Sequence, residues 1–211
     1  MRTREQEYED TRGRIAELAA SCEGLTPVPA CPDWSVHAVL SHVTGVCADI
    51  LSGNVAGAAS DPWTAVQVEA RVGVPTEKVL AEWDDVGPKV AATLDDFPEP
   101  YGDQVIADLT VHEHDIRGAL ARAGARDTAN VDRALSFLTV NFVTPRCEEL
   151  GLTPIDQAVD ISRFELLRAL TGRRSATQIR GYPWRSGNDP DAYFQLFGLG
   201  PFTVRSDDLT E

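Results

Sequence analysis

The chain has 211 residues, of which 43% are hydrophobic and 25% are charged, the balance of a globular domain that can bury a sizeable core. Its 19 basic and 33 acidic residues give a formal net charge of −14, which argues against binding to nucleic acid or to an anionic membrane. No run approaches the roughly 18 apolar residues of a membrane span, and no secretory signal is expected. The four cysteines form no C-x-x-C pair, so free thiols in a reducing cytoplasm are predicted.

Helical spacing of apolar residues runs through the first 145 positions, where no strand-like alternation occurs. Amphipathic helices are predicted over 8–22, 36–50, 64–71, 76–94, 103–122 and 130–143. Ser35, Thr76 and Asp103 are predicted to cap three of them. Gly87-Pro88 predicts a kink or a break, and Pro145 is expected to end the last helix. These features predict an all-α or mainly α fold, with a helical bundle over residues 1–145.

Residues 146–211 are predicted to form a short C-terminal region that packs on the bundle. Its helical segments, at 164–170, 175–180 and 191–197, are too short to be stable alone. Ser162 and Glu165 have the spacing of a capping box, and Asp189-Pro190 has the pattern of an N-cap followed by proline. Gly198 is predicted to end the last segment.

The predicted helix 103–122 carries the most informative group of titratable residues. Asp108, His112 and Asp115 fall within an arc of about 60° beside its apolar stripe. A carboxylate and an imidazole four residues apart can bind one metal ion, or the carboxylate can orient the imidazole. The alternative is a hydrogen-bonded structural histidine. Glu113 and His114 point away from this arc, and His114 is predicted to be solvated.

The helix over 36–50 offers a candidate for a third metal ligand. His42 lies at the edge of its apolar stripe, about 100° from the centre of the stripe. The alternative is a histidine at the boundary between core and surface. His37 lies off the other edge and is a weaker candidate.

Three segments resemble the mycothiol-dependent maleylpyruvate isomerase family, which belongs to the DinB-like four-helix bundles. Residues 30–43, ACPDWSVHAVLSHV, resemble the entry to that family's metal-binding helix. Residues 108–120, with VHEHDIRGAL, look like its second metal-ligand helix. Residues 164–175, followed by Gln178 and Trp184, are similar to the C-terminal GRRS region of many members.

The resemblance implies a divalent metal, zinc, held by His42, Asp108 and His112. Asp108 takes the position of a family glutamate and is one methylene shorter, so direct ligation, ligation through water and a supporting role all stay open. Asp115 is a candidate for orienting an imidazole. Its alternative role is a surface salt bridge with an arginine such as Arg117 or Arg122.

The resemblance further implies an enzyme that uses mycothiol as a thiol cosubstrate, with a metal-activated thiolate as the nucleophile. The reaction expected is isomerisation of a small electrophilic substrate or transfer of the thiol to it. Arg173 and Arg174 are candidates for binding a substrate anion, and pairing with the protein's own acids is the alternative. The competing hypothesis is a non-catalytic metal-binding bundle that binds a small molecule or a protein. The sequence determines neither the substrate nor the oligomeric state.

Overall fold

The computed structural model describes residues 2–197 and 202–211, and within them the regular structure is helical, with isolated β-bridges but no β-strand. The predicted all-α fold is confirmed. The α-helices are α1 Arg4–Ala20, α2 Val36–Ser52, α3 Asp61–Glu69, α4 Thr76–Ala91, α5 Tyr101–Ala119, α6 Ala129–Leu138, α7 Thr144–Leu150, α8 Ile155–Ala158, α9 Arg163–Leu170 and α10 Ala176–Arg180. None of the helices described has both the length and the apolar character needed to cross a bilayer.

Residue contacts divide the chain into two compact units, with the division after Gly124 and with Glu211 grouped into the first unit. In the first unit, α1 and α2 each pack against both α4 and α5, which makes a four-helix bundle, and α3 packs on α2. Helix α6 belongs to the second unit because it packs on α9. Residues 125–145, which the prediction included in the bundle, group with the second unit in these contacts, and the domain boundary at residue 145 stays a prediction.

A buried hydrogen-bonded chain joins three helices of the bundle. The indole N–H of Trp83 on α4 donates to the Tyr8 hydroxyl on α1 at 2.9 Å. That hydroxyl also forms a hydrogen bond of 2.9 Å with Cys47 Sγ on α2, in which either group can be the donor. Burial raises the pKa of the Cys47 thiol to about 11, so this cysteine is an inert part of the core.

Helix α5 is enclosed on all sides along its middle, where every residue from Leu109 to Ile116 is buried. The prediction that His114 is solvated is therefore wrong: it is 2% exposed, because other parts of the chain also cover this side of α5. Glu113 is also buried. Its carboxylate accepts from Arg14 on α1 at 2.8 and 2.7 Å and from Arg117 at 2.8 Å. This bidentate ion pair ties α1 to α5.

Of the three helix caps predicted in the first unit, one is confirmed and two are wrong. Ser35 caps α2 as predicted, and its Oγ accepts from the Ala38 N–H at 3.3 Å. Asp103 is not a cap, because α5 begins at Tyr101 and the Asp103 carboxylate accepts from Arg4 Nε at 2.7 Å. Thr76 is not a cap either, because it is the first residue of α4 and Pro75 occupies the cap position.

Helix α4 continues through Gly87-Pro88, so the alternative of a break there is wrong. A Cβ on Gly87 would lie 2.8 Å from Cδ of Arg12 on α1. The glycine therefore allows α1 and α4 to approach each other closely.

In the second unit, Pro145 opens a helix instead of ending one. A π-helical turn over residues 139–143 leads from α6 into α7, and Pro145 lies in the first turn of α7, where a missing N–H is tolerated. Ser162 caps α9 through the Glu165 N–H at 3.1 Å. Asp189 caps a 3₁₀ segment over residues 190–196, as predicted, and Gly198 lies outside the described residues.

The Glu113→Ala substitution should lower the free energy of unfolding by about 2–4 kcal/mol, since it leaves two guanidinium groups without their buried carboxylate. Urea denaturation measures the change. The exposed Glu17 on α1 provides the control, because Glu17→Ala should change stability by no more than about 0.5 kcal/mol. Equal effects of the two substitutions would contradict a stabilising role for this ion pair.

Candidate metal centre

Helices α2 and α5 bring His42, Asp108 and His112 together inside the first unit. The two oxygens of Asp108 face different imidazoles: Oδ2 lies 3.3 Å from His42 Nε2, and Oδ1 lies 3.6 Å from His112 Nε2. One ligand atom from each residue lies within 4.8 Å of the other two. Both histidines are buried, whereas the Asp108 side chain is 38% exposed. The three residues predicted as metal ligands thus form one cluster.

The other nitrogen of each imidazole is held by a separate hydrogen bond. His112 Nδ1 lies 3.0 Å from Oδ2 of Asp115, and because an ionised carboxylate only accepts, Nδ1–H is the donor. His42 Nδ1 lies 2.8 Å from the amide oxygen of Gln67 on α3, which also accepts. In a neutral imidazole with Nδ1 protonated, the lone pair is on Nε2. In this tautomer both Nε2 lone pairs face the Asp108 carboxylate, a repulsive arrangement that a proton on Nε2 or a bound cation relieves.

The buried His42 ring is electrostatically coupled to Asp108. Burial lowers the pKa of His42, but the nearby Asp108 carboxylate and the Gln67 hydrogen bond raise it more, so the net pKa lies above the ordinary value of 6.5. The cluster therefore attracts positive charge: a proton on His42 and a metal cation would each be stabilised by Asp108.

Trp34 forms an aromatic wall against both imidazoles. Its ring centroid lies 5.3 Å from that of His42 and 5.7 Å from that of His112, with the second pair stacked at an interplanar angle of 25°. Trp34 directly precedes Ser35, the cap of α2. The segment that starts the helix therefore also places the indole ring against the two histidines. The ring shields one side of the cluster from water.

A second group of ligating atoms adjoins the first and shares His112 with it. Cys31, His112 and Asp115 also have ligand atoms within 4.8 Å of one another. The Cys31 Sγ lies 3.4 Å from Asp115 Oδ2, to which the thiol donates. Asp115 thus accepts hydrogen bonds from both Cys31 and His112, and it holds the His112 ring at Nδ1, on the side away from Asp108. The other role considered for Asp115, a surface salt bridge, does not fit a residue that is fully buried.

His37 has a different role, because both of its ring nitrogens bond to the loop and helix start that follow α3. Nε2 donates to the carbonyl of Arg71 at 3.1 Å, and Nδ1 accepts from the Thr76 hydroxyl at 3.1 Å. His37 therefore joins α2 to the start of α4 and takes no part in the cluster.

The two arginines predicted to bind a substrate anion are both buried in the second unit. Arg174 donates to both oxygens of Glu165, at 2.5 and 2.9 Å. Arg173 donates to the carbonyl of Thr171 at 2.5 Å and lies over the ring of Phe202. These contacts agree with the alternative of internal pairing for Arg174, and an anion-binding role for either residue stays a prediction.

Sequence reasoning missed Gln67 and the contact between Trp34 and the histidines. Gln67 is the only buried residue of α3, a helix with polar residues on several sides, so the local pattern does not distinguish it. A signal did exist at Gly45 on α2, because a glycine inside a helix lowers helix stability and so points to a close approach of another segment. Trp34 lies in the segment 30–43 that carries the family resemblance.

A comparison of the sequence with protein-family models identifies the family of this chain. The model described as the mycothiol maleylpyruvate isomerase N-terminal domain matches residues 5–129, more than half of the chain. This chain belongs to that family. The matched region contains His42, Asp108 and His112, together with Gln67 and Asp115, and ends before Arg173 and Arg174. Comparisons with curated proteins and with solved structures gave no match.

In the metal-free protein, Asp108→Asn should lower the pKa of His42, because it removes the main charge that raises this pKa. Since the folded-state pKa is raised, the interaction stabilises the fold fully below about pH 6.5, and this stabilisation disappears as the pH rises through the folded-state value. An NMR titration of the imidazole carbons measures the pKa. Asp96→Asn, at an exposed site, is the control, and an unchanged His42 pKa in Asp108→Asn would contradict the coupling.

Proposed function

We propose that this protein is a metal-dependent enzyme that uses mycothiol to isomerise a small electrophilic substrate or to transfer the thiol to it. The observation that carries the proposal is the convergence of two buried imidazole Nε2 atoms on one partly exposed carboxylate, within the region matched by a mycothiol-related family. The proposed ligands are His42 Nε2, His112 Nε2 and the carboxylate of Asp108, and the proposed metal is zinc.

The distances between these atoms suit a small divalent cation. Zinc bonds to nitrogen and oxygen of about 2.0–2.1 Å in a tetrahedron separate neighbouring ligand atoms by about 3.3 Å. Asp108 Oδ2 lies 3.3 Å from His42 Nε2, and one ligand atom from each of the three residues lies within 4.8 Å of the other two. A set of two imidazoles and one carboxylate is also typical of zinc sites that catalyse hydrolytic and related reactions. Asp108 therefore supports direct ligation in spite of its shorter side chain.

The uneven burial of the cluster favours catalysis over a purely structural metal. His42 and His112 are 4% and 7% exposed, whereas the Asp108 side chain is 38% exposed, so the cluster opens to solvent on one side. Catalytic zinc sites combine three protein ligands with an open position, and structural sites are closed by four. The open side is where a thiol and a substrate would arrive.

The residues of the chain would each have a definite part in this chemistry. A bound divalent cation favours the ionised form of a thiol that ligates it, which supplies the nucleophile. Asp115 keeps the Nδ1 proton on His112, and Trp34 keeps water away from one face of both rings. The Cys31 thiol donates a hydrogen bond to Asp115, which in turn holds His112. The reacting thiol is therefore assigned to mycothiol. None of the four cysteines is in a disulfide, which fits a reducing cytoplasm, where we place the protein.

Metal analysis should find one zinc per chain in wild-type protein loaded and then desalted, because the three ligand atoms form a single site. His42→Ala combined with His112→Ala should abolish binding. His37→Ala is the matched control and should keep one zinc, since His37 bonds only to Arg71 and Thr76 in the contacts described. Stoichiometric zinc in the double variant would contradict the assignment of ligands.

Metal-loaded protein should turn over at least one member of a panel of electrophiles and unsaturated diacids when mycothiol is present. Product formation, followed by chromatography and mass spectrometry, should stop when a chelator removes the metal and return when zinc is added back. Omitting mycothiol should also stop the reaction. If the protein binds zinc stoichiometrically but turns over no member of the panel, that result would contradict the proposed enzymatic activity and favour a non-catalytic metal-binding bundle.

A further inference from the structure

The side-chain amide of Gln67 links His42 to a second carboxylate that lies outside the ligand cluster. Gln67 Oε1 lies 2.8 Å from His42 Nδ1, and Gln67 Nε2 donates to Oδ2 of Asp49 at 2.7 Å. The other oxygen of Asp49 accepts from Asn54 Nδ2 at 2.8 Å. A chain of hydrogen bonds thus runs from His42 through Gln67 to Asp49 and Asn54.

The donors and acceptors in this chain allow one arrangement. An ionised carboxylate can only accept, so the group of Gln67 that faces Asp49 must be its NH₂. The amide oxygen then faces His42 and can only accept, which requires the proton on His42 Nδ1. A flipped amide would place its oxygen against the Asp49 carboxylate and its NH₂ against the imidazole N–H. Asp49 therefore determines the orientation of Gln67, and Gln67 favours the Nδ1–H tautomer of His42 over the Nε2–H form that Asp108 would accept from in the absence of a metal.

Gly45 makes this contact sterically possible. His42, Gly45 and Asp49 lie three and four residues apart on α2, so all three are on the side that faces α3. A Cβ on Gly45 would lie 2.5 Å from Cβ and 2.7 Å from Cγ of Gln67. Only a residue without a side chain lets α3 approach closely enough for Gln67 to reach His42.

We propose that Gln67, oriented by Asp49, is a positioning residue that holds His42 as its Nδ1–H tautomer with the Nε2 lone pair directed at the metal position. The proposal rests on the metal centre proposed above. His112 is held by a carboxylate, Asp115, whereas His42 is held by a neutral amide. The amide fixes the tautomer without adding a third negative charge directly beside the two imidazoles, where Asp108 and Asp115 already lie.

The first test reads the tautomer in metal-free protein, so it does not depend on the metal centre. Long-range ¹H–¹⁵N correlation spectra, recorded at a pH where His42 is neutral, distinguish Nδ1–H from Nε2–H. The wild type and an exposed control, Gln157→Leu, should show a larger Nδ1–H fraction at His42 than Gln67→Leu. In Gln67→Leu the amide acceptor at Nδ1 is lost while the Asp108 carboxylate still lies 3.3 Å from Nε2, so Nε2–H should predominate.

The second test measures zinc affinity by competition with a chromophoric chelator. Gln67→Leu should bind zinc about 10–100-fold more weakly than the wild type, the usual cost of losing a group that orients a metal-binding histidine. Gly45→Ala should also weaken binding, although it leaves every polar group of the chain in place. Circular dichroism and urea denaturation establish that each variant is folded.

A double variant separates positioning from a structural role. Gln67→Glu alone places two carboxylates next to each other and should weaken zinc binding. Combining it with Asp49→Asn restores one amide and one carboxylate in reversed order, and the carboxylate still accepts from His42 Nδ1–H. The double variant should therefore recover the Nδ1–H tautomer and come within a few-fold of wild-type affinity.

Two results would overturn the proposal: an Nδ1–H tautomer that persists in Gln67→Leu, or wild-type zinc affinity in that folded variant. Failure of the metal centre itself gives a different result. In that case the wild type would bind no zinc at His42 and His112, while the tautomer of His42 would still change in Gln67→Leu.

Discussion

The first unit depends on a single constraint: two imidazole rings are buried beside one carboxylate, and each of their nitrogen atoms must have a partner. Unpartnered polar atoms in a protein interior are costly. Gln67 and Asp115 meet this requirement at the two Nδ1 atoms, whereas both Nε2 atoms face the carboxylate of Asp108 and need a proton or a cation between them and it. The shared carboxylate is the one partly exposed member. A small cation could bind between these groups while the outer hydrogen bonds stay intact.

The bundle positions α2 and α5 so that this arrangement can form. The chain from Trp83 through Tyr8 to Cys47 connects α4, α1 and α2 through buried polar groups. The Glu113 carboxylate connects α5 to Arg14 on α1. Because α1 is common to both connections, it sets α2 and α5 relative to each other even though it contributes no residue to the cluster. Packing far from the ligands thus contributes to their spacing.

The sequence predicted the parts of this structure that depend on local periodicity. The spacing of Asp108, His112 and Asp115 put them on one side of a helix, His42 was a candidate from its place beside an apolar stripe, and the resemblance combined these residues into one ligand set. The sequence could not predict partners that are distant along the chain. Arg14 lies 99 positions from Glu113, and the same separation divides Arg4 from Asp103. The cap predicted at Asp103 and the solvated position predicted for His114 failed for this reason, since tertiary contacts overrode the local pattern.

The proposed metal centre is tested most directly by zinc K-edge X-ray absorption fine structure on zinc-loaded protein in a buffer free of thiols. Ligation by His42, Asp108 and His112 predicts imidazole scattering and a first shell of nitrogen and oxygen atoms at about 2.0–2.1 Å, with no sulfur. A zinc–sulfur distance of about 2.3 Å would contradict it. That result would move the metal to the adjoining group of Cys31, His112 and Asp115.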